Sequence, residues 1–220
     1  MNRKKMDVNV MAQMSLLCAI MLVMAFTPLG YIPLPFMKAT TMHIPVIIGA
    51  CLLGPKMGAV LGGLFGITSI IKATIEPMIT SFVFTPFYSF NEQFHGGFNS
   101  IIVAVVPRVL IGVVAGLVFK WLMKAIKNES LSLALAGFIG SMVNTIGVMG
   151  LIYVLFGNQY AAAIGKDTGL LFKLIMSVVG VNGVPEAIIA AIITVAVGKA
   201  LRVVLKKSVK SSKNKTVNMA

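Results

Sequence analysis

The sequence predicts an all-α integral membrane protein: a bundle of six transmembrane helices with both termini in the cytoplasm. Three observations predict it. The 220 residues are 58% hydrophobic and 11% charged, with a mean hydropathy of +0.95, and several runs approach the roughly 20 apolar residues that cross a bilayer. Glycines recur at helical spacing and strand alternation is absent, which argues against a barrel. Basic residues cluster beside the apolar runs, at Arg3–Lys5, Lys56, Lys120–Lys127 and Lys199–Lys215, as cytoplasmic flanks do under the positive-inside rule. The formal charge of +13 therefore reports on topology, and no nucleic-acid partner is expected. Cys18 and Cys51 lie inside apolar runs and read as small buried residues rather than a disulfide. The first run lacks a clear small-residue cleavage site and reads as a retained span.

Residues 1–204 read as a single membrane domain with spans near 10–30, 43–54, 57–72, 99–123, 131–156 and 171–203, followed by a basic, disordered cytoplasmic tail at 205–220. The first span ends at Pro28 and Gly30, and Ser15 and Ala19 on it form a small pair four residues apart. The stretch from Ile44 to Ile67 organises the rest. It is apolar except for Lys56, which follows Gly54-Pro55, a pair that breaks a helix because proline lacks an N–H and disfavours helix in the residue before it. Two short spans therefore meet at a basic turn. Counting them separately gives an even number of crossings, as two basic termini on one side require, and leaves most of the 19 basic residues inside. Gly54, Gly58, Gly62 and Gly66 recur every fourth residue. Such a ridge admits a second helix at close range, either as ordinary bundle packing or as a docking surface that slides.

Residues 73–98 form a long outer loop rich in phenylalanine, from Phe82 to Phe98. Disorder needs low hydrophobicity, so the loop reads as a packed lid or as an interfacial aromatic belt. The fourth span carries Pro107-Arg108 and Gly112-x-x-x-Gly116, with Trp121 at its inner interface. The fifth carries Asn144 and Thr145; the last is longer than a bilayer needs and carries Asn182-Gly183 and Pro185-Glu186.

Polar groups deep in a membrane are costly and face a cavity or a partner. Arg108 sits about ten residues into its span, roughly 15 Å deep. Glu186 lies at similar depth, with Asn144 and Asn182 near that level. Two readings of Arg108 stand side by side: a buried ion pair with Glu186, or a planar fork of donors for a ligand's anionic or amide oxygen. The asparagines suit either helix–helix hydrogen bonds or ligand contacts. Thr40, Thr41 and His43, where the 31–42 loop meets the second span, and Tyr88 in the aromatic loop complete the candidate binding set. The sequence holds no phosphate loop, no His-Glu-x-x-His, no Gly-x-Ser-x-Gly and no Cys/His cluster, so neither enzyme chemistry nor a bound cofactor or metal is expected. One carboxylate within the spans is too few for a proton relay, and no inverted repeat of the secondary-transporter kind is visible. A lidded polar pocket with no energy source of its own suggests a binding subunit driven by other chains.

Six short helices in about 200 residues, the stretch Ile44-Pro-Val-Ile-Ile-Gly with Leu-Leu-Gly-Pro-Lys-x-Gly-Ala after it, and Pro107-Arg108 in the fourth helix resemble the substrate-binding S-component of an energy-coupling factor (ECF) vitamin transporter. The likeness covers about residues 10–204 and is greatest to the pantothenate-specific branch; pyridoxine or hydroxymethylpyrimidine types are the alternatives within the family, and a self-sufficient secondary transporter outside it. The resemblance implies a cell-membrane protein that captures a vitamin from outside and topples to release it. It implies as partners a transmembrane coupling subunit and two ATPase subunits. The family's Ala-x-x-x-Ala docking motif corresponds here to Ser15-x-x-x-Ala19, with Ala12 completing the docking set. Loops 31–42 and 73–98 match the family's substrate gates.

Overall fold

The computed structural model describes residues 8–33, 38–89, 91 and 93–217. The basic cluster Arg3–Lys5 and Phe90 of the aromatic loop lie outside them. The chain is helical apart from one small hairpin: α1 (Val8–Ala25), β1 (Tyr31–Pro33), β2 (Lys38–Thr40), α2 (His43–Leu53), α3 (Pro55–Ile75), α4 (Phe98–Ala125), α5 (Glu129–Ala163), α6 (Thr168–Val178) and α7 (Val184–Val217). Among the described residues, five helices are long and apolar enough to cross a membrane, the run from Thr168 through Val203 counting as one. The protein is a predominantly α-helical, multi-pass membrane protein.

Pro55 does not sit in a turn; it opens α3 as its first residue, where its missing N–H costs nothing. Gly54 before it takes φ 94°, a left-handed value that glycine adopts without strain. The chain reverses there. A side chain at Gly58 would meet Cβ of Ala50, and one at Gly49 would meet Leu61, so α2 and α3 run antiparallel. At 11 residues, α2 rises about 16 Å, half of a bilayer core. The antiparallel pairing of β1 with β2, Tyr31 opposite Thr40, precedes α2, and the Tyr31 hydroxyl lies 3.2 Å from that of Thr68, about 20 Å along α3. This hairpin replaces the irregular loop expected at 31–42.

The glycine ridge serves packing inside the bundle. A Cβ at Gly62 would strike the Arg108 carbonyl, one at Gly66 would approach the Ala104 carbonyl to 3.0 Å, and Gly58 faces Gly112 on α4. Backbones this close exclude any side chain, so α3 and α4 are fixed against each other. Of the two readings of the ridge, this is the packing one.

The aromatic loop is packed. Phe82 is fully buried, with Phe94 and Phe156 at centroid distances of 5.9 Å. Ser100 Oγ donates to the Phe82 carbonyl at 2.6 Å, and the Thr74 and Thr85 hydroxyls meet at 2.6 Å, pinning the loop to α4 and α3. At the opposite end of α4, Arg202 of α7 pairs with Glu129 at 3.3 Å and stacks on Phe119 at 4.7 Å. Helix α7 continues to Val217, through most of the segment expected to be a disordered tail.

The last span is interrupted. Residues Val179–Gly183 form a π-turn between α6 and α7. The extra residue per turn widens the helix and is a feature frequent at functional sites. Gly183 lets the turn approach α5, since a Cβ there would lie 2.8 Å from Thr145 Cγ2.

Candidate substrate-binding cavity

Between the hairpin, the 3₁₀ turn Ile79–Val83, α3, α4, α5 and the π-turn lies a cavity of about 90 Å³. One water needs only ~10–15 Å³ by this measure, so the space suits a small molecule rather than a trapped solvent. Its polar wall includes Arg108, Asn144, Asn182, Glu186 and Thr40; its apolar wall includes Val148, Met149 and Ile152.

Arg108 owes its position to the residue before it. Pro107 is in the interior of α4 and has no N–H for the carbonyl four residues back. That carbonyl belongs to Val103, and Arg108 Nη1 donates to it at 2.8 Å. Proline fits here because Gly147 of α5 makes room for its ring, with a Cβ at Gly147 lying 3.1 Å from Pro107 Cβ. The guanidinium carbon lies 5.3 Å from the Phe65 ring centroid and 5.4 Å from that of Phe84, so the cation meets two π-systems, a favourable arrangement in a desolvated site. Arg108 is 4% exposed, and its Nε has no partner among the described residues.

The ion pair of Arg108 with Glu186 is not formed: no contact within 4.0 Å joins them among the described residues, though both line the cavity. Glu186 is half-buried and faces the backbone of Thr40. Asn144 is buried, and its Oδ1 has no partner among the described residues. An unpaired buried amide oxygen costs free energy that a ligand donor would recover.

Three expected site residues lie off the cavity. Thr41 donates its hydroxyl to the Leu29 carbonyl, holding the hairpin to the end of α1. His43 opens α2 as a buried residue. Tyr88 packs on the aromatic cluster around Phe82. Conversely, Tyr31, Ser69, Lys72, Thr80, Ser81, Phe84 and Tyr160 line the cavity and were not singled out. A signal for part of this set existed: Ser69 and Lys72 share one helical face at a spacing of three. Ala12, Ser15 and Ala19 lie elsewhere, on the exposed face of α1, beside Leu16, Ile20 and Val23.

A family model described as "ECF transporter, substrate-specific component" matches residues 9–198. The chain belongs to that family. As an ECF substrate-specific component, it is a part of a transporter and not an enzyme. Similar proteins include the pantothenic acid transporter PanT of Lactococcus lactis subsp. cremoris, 36% identical over 200 residues that span 90% of this chain and 96% of the relative. The pantothenate transporter PanT of Leuconostoc mesenteroides subsp. mesenteroides is 31% identical over 192 residues, 83% of this chain and 87% of the relative. The cavity lies under the hairpin and the aromatic loop, and the exposed face of α1 lies apart from it.

Proposed function

We propose that this chain is the pantothenate-binding subunit of an ECF-type importer of the cell membrane, with six crossings and both termini cytoplasmic. The observation that carries the reading is likeness over nearly the whole chain to two relatives named for pantothenate, together with a cavity whose chemistry matches. Pantothenate is a small carboxylate with an amide, two hydroxyls and a geminal dimethyl group. Arg108 donates to a ligand oxygen, Asn144 and Asn182 pair with the amide and hydroxyls, and Val148, Met149 and Ile152 accept the methyl groups. Glu186 and Thr40 complete the polar wall. The lysine clusters support cytoplasmic termini, and the short α2, capped by its hairpin, counts as the sixth crossing. Thr41, His43 and Tyr88 act indirectly, by holding the gates in place.

Transport requires a transmembrane coupling subunit and two ATPase subunits, because this sequence carries no nucleotide site. Ala12, Ser15 and Ala19 offer the coupling subunit a small-residue face on α1. Reconstitution tests the reading. Proteoliposomes containing this chain alone bind labelled pantothenate and do not concentrate it; adding the coupling subunit, the ATPases and ATP starts uptake. Concentrative uptake by the chain alone would overturn it.

A further inference from the structure

A second cavity, of about 120 Å³, adjoins the first, and the two share Met149, Tyr160 and Val178 as a common wall. The rest of its lining is Ile164, Leu174 and Ile175, with Lys166 at the turn between α5 and α6. Apart from that lysine and the Tyr160 hydroxyl, the side chains around it are apolar. Tyr160 is 7% exposed, and no hydrogen bond reaches its hydroxyl from the described residues. A buried phenol ordinarily finds a partner, so this one stands at the junction with a donor to give.

The polar groups of the first cavity orient the substrate toward that junction. Pro107 abuts Gly147, and Gly183 abuts Thr145, so Arg108, Asn144 and Glu186 gather at one end. Tyr160 lies about 24 Å from Asn144 along α5, with Val148 and Ile152 between them on the cavity wall. The unpartnered Asn144 Oδ1 and the Glu186 carboxylate are acceptors, and both call for donors. Pantothenate carries its two hydroxyls at one end and its carboxylate, an acceptor alone, at the other. The hydroxyl end therefore faces Asn144 and Glu186, and the acid end points to Tyr160.

We propose that the second cavity is a subsite for an apolar arm carried on the acid end of the substrate, and that the Tyr160 hydroxyl donates to the acid or amide oxygen at the junction. The proposal rests on the pantothenate reading and adds a ligand class to it: neutral secondary amides of pantothenate with a short alkyl tail. Pantothenate itself stops at Tyr160, because a carboxylate loses its hydration and gains no donor among Ile164, Leu174 and Ile175. An alkyl tail placed there leaves water and gains packing contacts. Met149 in the shared wall is unbranched and repacks readily, which opens a passage beside Tyr160. The amide carbonyl keeps the hydrogen bond from Tyr160 that the carboxylate makes, so the extension gives up no polar contact at that point.

The test is calorimetric titration of the purified full chain with pantothenate and with its N-methyl, N-propyl and N-pentyl amides. Affinity rises along the amide series, by about tenfold or more from methyl to pentyl. Leu174→Trp, which fills the second cavity, removes that rise and leaves pantothenate within about threefold of its wild-type affinity. Leu174→Ala, which takes packing from the tail, weakens the pentyl amide and spares pantothenate. Tyr160→Phe weakens pantothenate and the methyl amide alike, by about tenfold, and keeps the rise with tail length. Affinity that is flat or falls with tail length in the wild type, a rise that survives in Leu174→Trp, or a Leu174→Ala variant that weakens pantothenate as much as the pentyl amide overturns the subsite while the pantothenate reading stands. Unchanged affinities in Tyr160→Phe overturn the role of its hydroxyl. A wild type that does not bind pantothenate overturns both the subsite and the reading it rests on.

Discussion

At the scale of single residues, the arrangement around Pro107 and Arg108 explains why these types stand side by side. The proline strips one carbonyl of its helical partner, and the neighbouring arginine supplies the replacement donor. Pro107→Ala should restore the N–H and set it in competition with Arg108 for the Val103 carbonyl. The expected result is an unchanged or raised melting temperature with weaker ligand binding, read by thermal shift and calorimetry on the same sample. Arg108 was legible in the sequence because a cation deep in an apolar run has few explanations. Lys72 was not, because in the last turn of α3 it looks like an ordinary flank. Tyr31 was hidden for a different reason: the hairpin that carries it into the cavity is three residues per strand, too short to show a period.

At the scale of elements, the crossing of α3 and α4 positions the site. Gly62 touches the backbone of Arg108 itself, whereas Gly63, one residue on, has nothing within 4 Å. Gly62→Ala should therefore force the helices apart, lower the melting temperature by several degrees and weaken binding, at a cost of roughly 1–3 kcal/mol for overpacking. Gly63→Ala should change neither quantity. Equal effects of the two substitutions, measured by thermal unfolding with and without pantothenate, would detach the crossing from the site. The ridge itself was plain from its four-residue repeat, but repeat alone does not say which helix fills it. The helix breaks at Gly54-Pro55 were equally plain, since both residues act locally. The π-turn at Val179–Gly183 was not, because it depends on α5 coming near enough to need Gly183, a tertiary fact that the local sequence does not contain.

At the scale of the whole molecule, two surfaces divide the work. The cavity lies under the hairpin and the pinned aromatic loop; the small residues of α1 lie on the exposed outside. If α1 docks the coupling subunit, Ser15→Leu and Ala19→Leu should leave pantothenate affinity within about twofold of wild type and cut ATP-driven uptake sharply in the reconstituted complex. Normal uptake in both variants would remove α1 from the docking face. The apolar character of the segments was readable from hydropathy, whereas among the described residues five helices are long enough to cross a membrane and α2, at 11 residues, is half the length of a bilayer core. The central claim is that this chain by itself holds a small polar nutrient against Arg108. Titration of labelled pantothenate into the detergent-purified chain and its Arg108→Ala variant tests it most directly. The account predicts saturable binding by the wild type and a loss of about 100-fold or more in the variant, which still folds but melts at a lower temperature because the Val103 carbonyl loses its donor. Equal affinity in the two proteins would contradict it.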